Sequence, residues 1–208
     1  MSRYLVLVRH GQSEYNASNR FTGWRDPPLT EKGIQEAHDV AVQLRSLDLR
    51  FDAAFSSALD RARRTTDIIL ADLDAGQLPV TADAALNERD YGELAGLNKA
   101  EAGERWGEAQ IQQWRRSYQE APPGGESLRD TMARALPFYL RCILPTVMRG
   151  QHALVVAHGN SLRALVMALD GLSFKDITRV EIATGEVLVY ELNSDTTVLR
   201  KLKIAPGA

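Results

Sequence analysis

The 208-residue sequence has little cysteine and no long hydrophobic run, and both features restrict what the protein can be. Its single cysteine, Cys142, excludes an internal disulfide and any zinc or iron–sulfur site built from several cysteines. Such a low cysteine content is typical of a reducing compartment. The apolar run at residues 5–8 is far shorter than a signal-peptide core, and no later run reaches membrane-spanning length. We therefore expect a cytoplasmic protein that has no contact with a membrane.

The sequence also lacks an excess of positive charge. Its 25 Lys and Arg residues are opposed by 27 Asp and Glu residues, which gives a net charge of -2 and an isoelectric point of about 6.1. No general attraction for nucleic acid is expected from this balance, so any bound anion must be held by a local cluster of cations. The content of 44% hydrophobic and 25% charged residues is typical of a globular protein, and the length predicts a single domain over residues 1–208.

Several well-known site motifs are absent. The chain has no Gly-x-Gly-x-x-Gly after its first strand, no Gly-x-x-x-x-Gly-Lys-Ser/Thr and no Gly-x-Ser-x-Gly. Dinucleotide, P-loop and serine-nucleophile sites are therefore without support. Neither His10 with Glu14 nor His38 with Asp39 has the helical i, i+4 geometry of a metal-binding pair, so no metal site is expected.

Short apolar runs alternate with helical patterns along the chain. Strands are predicted at residues 4–8, 51–56, 78–81, 153–157, 187–192 and 198–202. Helices are predicted after Thr30, at residues 59–73, 99–106 and 108–118, from Ser127 onward, and at residues 162–169 with Ser161 as the cap. Residues 12–29 are predicted to form a long functional loop. The alternation predicts an α/β three-layer sandwich with a mostly parallel central sheet and helices on both faces.

Two of the predicted strands end in the same way. The first is followed by Arg-His-Gly at residues 9–11, and the strand at residues 153–157 is followed by His-Gly-Asn at residues 158–160. Either histidine alone is equally well explained as a polar residue at the end of a strand. In open α/β sheets, however, ligands bind beyond the carboxyl ends of the strands, so the pair is expected to face one crevice.

Two histidines surrounded by arginines are suited to phosphoryl transfer. A neutral imidazole is a good nucleophile toward phosphorus and can store the phosphoryl group without a metal. The developing charge on the phosphoryl oxygens then needs fixed positive potential, which the planar guanidinium of Arg supplies. Arg61, in the first turn of a predicted helix, and the amides of the helix capped by Ser161 are candidates for that role.

Two further groups are candidates for contact with a substrate. Glu88 lies in an irregular segment after a short strand, where a carboxylate near a phosphate could pass a proton to and from a hydroxyl. On its own it is also well explained as a solvated loop residue. Lys99, Arg115 and Arg116 form a second basic set, for which the alternative is an exposed basic helix face.

Six ordered stretches resemble one family. They are LVLVRHGQS at residues 5–13 followed by Asn16, RFTGW at 20–24, LNER at 86–89 with YG at 91–92, GLNK at 96–99, QWRR at 113–116 and AHGNSLRAL at 157–165. Together they resemble the histidine phosphatase superfamily, in its 2,3-bisphosphoglycerate-dependent phosphoglycerate mutase branch, over nearly the whole chain. Arg-His-Gly alone is a weak motif, whereas six motifs in order leave little room for accident.

The resemblance implies a role for each matching residue. It makes His10 the nucleophile that carries the phosphoryl group and Glu88 the proton donor and acceptor, with Arg9, Arg61 and His158 holding the phosphoryl oxygens. The residues implied to bind substrate are Ser13, Asn16, Thr22, Gly23, Arg61, Tyr91, Lys99, Arg115, Arg116, Gly159 and Asn160.

The implied activity is the interconversion of 3-phosphoglycerate and 2-phosphoglycerate, a step of glycolysis and gluconeogenesis. It proceeds through a phosphohistidine and a 2,3-bisphosphoglycerate intermediate, with 2,3-bisphosphoglycerate as the primer and no metal. The implied partners are small phosphoglycerates, and a homo-oligomer is left open. Two other functions stay open: a phosphohistidine-dependent phosphatase of small phosphoesters, and a non-catalytic phosphoester-binding module. The module would have lost one of His10, Arg61, Glu88 and His158, and all four are present.

The chain departs from the family pattern in three places. Gln12 replaces the glutamate more usual after Arg-His-Gly. The segment between Arg116 and residue 124 is short, and the sequence ends at Ala208 without a long tail. Because such a tail is expected to close the site and exclude water, we expect more phosphate release relative to isomerisation than in tailed relatives, unless residues 21–28 or 108–118 close the site instead.

Overall fold

The computed structural model describes residues 3–207, and its centre is a six-stranded sheet within that range. In the order in which they lie side by side, the strands are β3 (Val80–Asp83), β2 (Ala53–Ser57), β4 (Ala153–Ala157), β1 (Tyr4–Arg9), β5 (Val187–Leu192) and β6 (Val198–Ile204). The first four pair in parallel, whereas β5 runs antiparallel to both of its neighbours. The mostly parallel sheet predicted from the sequence is confirmed.

Helices cover both faces of this sheet. They are α1 (Glu14–Ala17), α2 (Glu31–Ser46), α3 (Asp60–Asp72), α4 (Lys99–Trp106), α5 (Glu108–Arg116), α6 (Leu128–Phe138), α7 (Leu144–Met148) and α8 (Gly159–Leu169). Single turns of 3-10 helix lie at Ala84–Leu86, Gly92–Leu94 and Asp176–Arg179, and a π-helical turn at Tyr139–Ile143 separates α6 from α7.

Strand β1 shows why the fold has three layers. Successive side chains of a strand point to opposite faces, and every residue from 5 to 8 is apolar and fully buried. Val6 and Val8 join an apolar core with α2 and α3 on one face, while Leu5 and Leu7 join a second core with α6 and α8 on the other. The expected sandwich, with helices on both faces, is therefore present.

The centre of the sheet brings the two histidine motifs together. Strands β1 and β4 are parallel neighbours in register from Leu5 opposite Ala153 to Arg9 opposite Ala157. They therefore end at the same edge, and the His10 amide donates to the Ala157 carbonyl at 3.0 Å. His10 and His158, which are 148 positions apart in the sequence, lie side by side because of this register.

Three local predictions were wrong. Helix α8 begins at Gly159 with His158 as its N-cap, because Ser161 lies in the first turn and its hydroxyl accepts from the His158 amide. The predicted loop at residues 12–29 contains the short helix α1, which lacks apolar periodicity but is capped by Ser13. The third strand lies two residues later than predicted, because its pairing with β2 begins at Val80 opposite Ala54.

A third, smaller apolar cluster supports α4 and α5 away from the sheet. It contains Phe21, Leu94, Ala102 and Ile111, with several partly buried aromatic side chains packed around them. Within residues 3–207, no helix is both long enough and apolar enough to cross a membrane.

Candidate active site

His10 is held in a single orientation at the end of β1. Its ring is buried, and Nδ1 lies 2.7 Å from the carbonyl oxygen of Gly11. A carbonyl can only accept, so Nδ1 carries the proton and Nε2 keeps its lone pair. The following glycine is required by close packing, since a Cβ on Gly11 would lie 2.1 Å from the carbonyl oxygen of Gly33. The backbone therefore presents Nε2 of His10 as a nucleophile.

His158 lies beside His10 in the same buried layer. The two ring centroids are 4.8 Å apart with the planes inclined at 61°. Nε2 of His158 lies 2.6 Å from the hydroxyl of Ser57 at the end of β2, so three neighbouring strands contribute to this small volume. On its other side, the ring of His158 faces the backbone amide of Ser161 in the capping box at the start of α8.

Both histidines are kept neutral. Burial lowers the pKa of His10 well below its usual 6.5, and the charges of Arg61 and Arg9 lower it further, against a smaller opposing effect of the Gly11 carbonyl. Burial also lowers the pKa of His158, again with help from Arg61. A protonated imidazole has no lone pair for attack on phosphorus, so these surroundings preserve the nucleophile at physiological pH.

Arg61 is completely buried at the start of α3 and connects the site to the loop that follows α1. Its terminal nitrogens donate to the carbonyls of Gly23 at 3.0 Å and Arg25 at 2.8 Å, and to the carboxylate of Asp26 at 3.0 Å. Its Nε, like the Nε of Arg9, is buried with no hydrogen-bond partner in the described part of the chain. Most of the guanidinium is thus used to hold the loop, and Nε remains for an anion.

Glu88 reaches the same place from the segment after β3. Its Oε1 accepts from the backbone amide of Asn160 at 3.0 Å and from the backbone amide of the next residue, Arg89, at 2.8 Å. Asn160 is the second residue of α8, so the carboxylate occupies the positive end of a helix dipole. Oε2 takes part in neither bond and remains for a proton or a hydroxyl.

A cavity of about 430 Å³ opens beside these groups. Ten of the residues predicted from the sequence line it: Arg9, Asn16, Thr22, Glu88, Tyr91, Lys99, Arg115, Arg116, Gly159 and Asn160. His10, Arg61 and His158 are buried in its immediate surroundings and do not line it. No group of three or more His, Cys, Asp or Glu side chains within residues 3–207 is arranged to hold a metal ion.

Besides Arg61, two predicted binding residues do not line the cavity and instead hold other site residues in place. Ser13 is buried, and its hydroxyl and amide both contact the side-chain oxygen of Asn16, which does line the cavity. Gly23 has a φ of +56°, which only glycine adopts without strain, and its carbonyl accepts from Arg61. Their direct contact with substrate stays a prediction.

The residues of the site form two groups. The inner cluster comprises His10, Arg61, Glu88 and His158, all buried. The outer cluster comprises Lys99, Arg115, Arg116 and Glu181, which are half-buried or exposed. In the outer cluster, Arg116 forms an ion pair with Glu181. Burial lowers the pKa of Lys99, and repulsion by Arg115 lowers it further.

The sequence interpretation missed several residues that organise the site. Arg89 is fully buried and donates to the carbonyls of Trp114 and Arg115 at the end of α5, and to the hydroxyl of Tyr91. Arg163 lines the cavity and donates to Asn160, and burial lowers its pKa to about 10.

Arg134 and Ser57 were missed as well. Arg134 donates to the carbonyls of Asn87 and Glu88 and so holds the segment that carries the carboxylate. The arginines gave no clear signal in the sequence, because most of their partners are backbone carbonyls or side chains distant in sequence. Ser57 ends a strand beside the site, and that position was its one available signal.

Comparison with known proteins identifies relatives over almost the full chain. The family model of the histidine phosphatase superfamily, branch 1, matches residues 5–205. The chain is 60% identical over 201 residues to a 2,3-bisphosphoglycerate-dependent phosphoglycerate mutase of Methylobacterium sp. (strain 4-46), with 97% of each chain covered. It is 57% identical over 203 residues to the protein of that name from Nitrobacter hamburgensis, with 98% of each covered.

Among solved structures, the fold is similar to a mycobacterial glucosyl-3-phosphoglycerate phosphatase. The TM-score is 0.83, the sequence identity is 27%, and 98% of each chain is covered. Similarity in sequence therefore points to mutases and similarity among solved structures to a phosphatase, within one superfamily.

Proposed function

We propose that this chain, which belongs to the histidine phosphatase superfamily, is a 2,3-bisphosphoglycerate-dependent phosphoglycerate mutase. It interconverts 3-phosphoglycerate and 2-phosphoglycerate. The observation that carries this assignment is the arrangement of the inner and outer clusters at one cavity. The inner cluster has the nucleophile and phosphate-binding groups, and the outer cluster has Lys99, Arg115 and Arg116.

Arginines at the inner and outer ends of the cavity match the two anionic ends of a phosphoglycerate. Two buried guanidinium donors near His10 that have no partner among the described residues, Nε of Arg9 and Nε of Arg61, suit the oxygens of a phosphoryl group on or next to His10. Arg115 and Arg116 suit the carboxylate, because guanidinium groups bind carboxylates in bidentate geometry. A carboxylate anchor holds the substrate while its phosphate and hydroxyl exchange roles.

The inner cluster accounts for the chemical steps. Nε2 of His10 attacks phosphorus, carries the phosphoryl group and returns it to a substrate hydroxyl. Glu88 accepts the proton of that hydroxyl as the new P–O bond forms and returns a proton to the oxygen that leaves phosphorus. Arg9, Arg61 and His158 stabilise the charge on the three equatorial oxygens, where most of it lies in the transition state.

The site fits 2,3-bisphosphoglycerate as a primer. When bound, this compound supplies the phosphoryl group that loads His10. The inner cluster would hold one of its phosphates, and Lys99, Arg115 and Arg116 would hold its other charged groups. No metal is needed in this scheme, since fixed arginine charges supply the positive potential.

The second candidate is a phosphohistidine-dependent phosphatase. The similarity to the mycobacterial phosphatase structure supports it, because the two folds superimpose over nearly their whole length. The two activities differ in what accepts the phosphoryl group from His10: a substrate hydroxyl for the mutase, water for the phosphatase.

One assay separates the two activities. The protein is mixed with 3-phosphoglycerate, with and without catalytic 2,3-bisphosphoglycerate and with and without chelator, and 2-phosphoglycerate and free phosphate are measured together. We expect isomerisation that needs the primer, is unaffected by chelator and far exceeds phosphate release. Phosphate release without isomerisation would assign the phosphatase. Under the mutase assignment, the chain is a single-domain enzyme that acts in the cytoplasm, in glycolysis and gluconeogenesis.

A further inference from the structure

A buried glutamate contacts the peptide group that holds His10. Glu36 lies on α2 with 9% of its surface exposed, and its Oε2 accepts from the backbone amide of Gln12 at 2.7 Å. This N–H and the carbonyl of Gly11 belong to the same peptide group, and that carbonyl lies 2.7 Å from Nδ1 of His10. The resemblance assigns Glu36 no role, and Glu36 does not line the cavity. Its effect on the reaction therefore has to pass through the peptide group.

The two hydrogen bonds lie at opposite ends of this peptide group. In a trans peptide the C=O and the N–H point in opposite directions, and the described residues contain no cis peptide bond. Nδ1–H of His10 donates to one end, and the other end donates to the carboxylate of Glu36. Hydrogen bonds joined in this way polarise one another, and a bond to a charged group is stronger than a neutral one. The negative charge of Glu36 thus makes the Gly11 carbonyl a better acceptor.

The close packing of α2 brings Glu36 to this peptide. A Cβ on Gly33 would lie 2.0 Å from the carbonyl oxygen of Gln12, so a glycine is needed for the helix to approach this closely. Glu36 is three residues after Gly33, and residues at that spacing are neighbours on one side of a helix. The contact is therefore a consequence of how α2 is seated against the end of β1.

The backbone after His10 does not depend on the charge of Glu36. The Gly11 amide donates to the hydroxyl of Thr65 at 3.2 Å, and the Gln12 carbonyl accepts from the amide of Thr30 at 2.9 Å. Both bonds remain when the carboxylate is replaced by a neutral group of the same shape. A change of charge at residue 36 can therefore be made without changing the course of the chain.

Phosphorylation of His10 creates a need for negative charge near the ring. When Nε2 bonds to phosphorus and Nδ1 keeps its proton, both ring nitrogens are substituted and the ring becomes positively charged. Burial and the charges of Arg61 and Arg9, which lower the pKa of His10, oppose that positive charge. A fixed negative charge that reaches the ring through one peptide group offsets part of this opposition.

We infer that Glu36 is a positioning residue for phosphoryl transfer, whose charge acts through the Gly11–Gln12 peptide to stabilise the positive ring of His10. The inference rests on the proposed function, since it concerns the loading of His10. In that step the Nε2 lone pair forms the N–P bond, the P–O bond of the phosphate ester breaks, and Glu88 gives a proton to the oxygen that leaves. The proton on Nδ1 stays in place, and Glu36 exchanges none.

Glu36→Gln separates the charge from the hydrogen bond. The amide oxygen of Gln can still accept from Gln12, so only the negative charge is lost. Glu31→Gln is the matched control, because it makes the same substitution at an exposed position of the same helix. Lys32→Met is a second control, because Glu36→Gln also removes an ion pair with Lys32, whose nitrogen lies 3.8 Å from Oε1 of Glu36.

The test combines the rate of loading with NMR of the ligand-free protein. Rapid mixing with saturating 2,3-bisphosphoglycerate that carries radioactive phosphate measures how fast His10 is phosphorylated. The rate should fall by about 3- to 30-fold in Glu36→Gln, because Glu36 is one peptide group further away than a carboxylate that bonds directly to a functional histidine. The proton resonance of His10 Nδ1–H should move upfield in Glu36→Gln. Both controls should match the wild type in both readouts.

The amide resonance of Gln12 distinguishes the inference from a purely structural role. If that resonance moves in Glu36→Gln while the His10 resonance and the loading rate stay at the control values, the charge does not reach the ring and the inference is overturned. If Glu36→Gln does not fold, the wild type decides. A hydrogen-bond coupling between the Gln12 nitrogen and the Glu36 carboxyl carbon, together with a proton on Nδ1 of His10, would support the inference, and the absence of either would overturn it.

Failure of the proposed function would give a different result. A wild type that is not phosphorylated by 2,3-bisphosphoglycerate would overturn the proposed function. The NMR comparison of Glu36→Gln with Glu31→Gln uses ligand-free protein, so it would still show whether the charge of Glu36 reaches His10.

Discussion

Glu88 and the outer cluster line one cavity, beside which the rest of the inner cluster is buried, yet the two clusters are built in opposite ways. In the inner cluster, His10 and His158 follow the ends of parallel strands, Arg61 lies in the first turn of α3 and Glu88 lies in the segment after β3. Most of these side chains are fixed by backbone groups. The outer cluster lies on the short helices α4 and α5 and on the segment before β5. Its best-defined contact is the ion pair between Arg116 and Glu181, which solvent reaches.

This difference separates chemistry from binding. Phosphoryl transfer requires donors that are fixed before the reaction, because reorganisation during the transition state raises the barrier. Capture and reorientation of a substrate require charges that can exchange partners. We therefore expect changes in the inner cluster to affect kcat and changes in the outer cluster to affect KM.

The largest effect is expected for Glu88→Gln. The amide oxygen of Gln can still accept from Asn160 and Arg89, so the fold is kept, but the side chain no longer accepts a proton. Turnover should fall by about 10²- to 10⁴-fold, the usual contribution of general acid–base catalysis, with little change in KM. Glu93→Gln, at an exposed position in the adjacent 3-10 turn, is the control. If Glu88→Gln turned over substrate as fast as Glu93→Gln, Glu88 would not be the proton donor and acceptor.

Arg89→Met tests how the two clusters are joined. The change leaves the carbonyls of Trp114 and Arg115 without their buried donor, which should lower the free energy of unfolding by about 1–3 kcal/mol. It also loosens the end of α5, so KM should rise by more than kcat falls. Denaturant unfolding and steady-state kinetics measure both effects. The control is Arg129→Met, on an exposed surface of α6, which should change the free energy of unfolding by less than about 0.5 kcal/mol. Equal effects of Arg89→Met and Arg129→Met would contradict the role given to Arg89.

Stability should depend on pH through the two buried histidines. Their pKa values are lowered in the folded state, so below about pH 6.5 the unfolded chain binds protons that the folded chain does not. The free energy of unfolding should therefore decrease as the pH is lowered below about 6.5, by up to about 1.4 kcal/mol per pH unit for each histidine. A variant carrying both His10→Gln and His158→Gln should show a shallower slope between pH 6.5 and 5. An unchanged slope would mean that the rings are not held neutral by the fold.

The smallest effect is expected for Glu181→Gln in the outer cluster. In the structure Glu181 forms an ion pair with Arg116, and we expect the substrate carboxylate to compete with Glu181 for the same guanidinium. Removing the charge should lower KM by at most about five-fold and leave kcat unchanged, because exposed ion pairs contribute up to about 1 kcal/mol. Raising the salt concentration should reduce the difference between variant and wild type. A fall in kcat would mean that Glu181 takes part in the phosphoryl-transfer step instead.

The sequence predicted the layers and the neighbouring histidines because both depend on local patterns. Continuous apolar runs such as residues 153–157 predict buried parallel strands, and the parallel order places their ends together. Element ends were less predictable. Ser161 has the residue type of an N-cap, but its hydroxyl bonds back to His158 from inside the first turn, and nothing local distinguishes the two positions.

Residues that act through the backbone could not be predicted. The sequence assigned Arg61 to a phosphate, whereas the structure uses most of its donors to hold the carbonyls of Gly23 and Arg25. Arg89 likewise bonds to carbonyls at the end of α5. Such contacts join segments that are distant in sequence and depend on the fold as a whole. A resemblance to a family transfers residues that touch substrate more readily than residues that hold those in place.

The central claim is that Nε2 of His10 carries the phosphoryl group, and labelling tests it most directly. The wild type, His10→Ala and Glu88→Gln are each incubated with 2,3-bisphosphoglycerate carrying radioactive phosphate. The protein-bound label is then tested for stability in acid and in base. We predict an acid-labile, base-stable label on the wild type and on Glu88→Gln, and none on a folded His10→Ala. Equal labelling of His10→Ala would contradict the account.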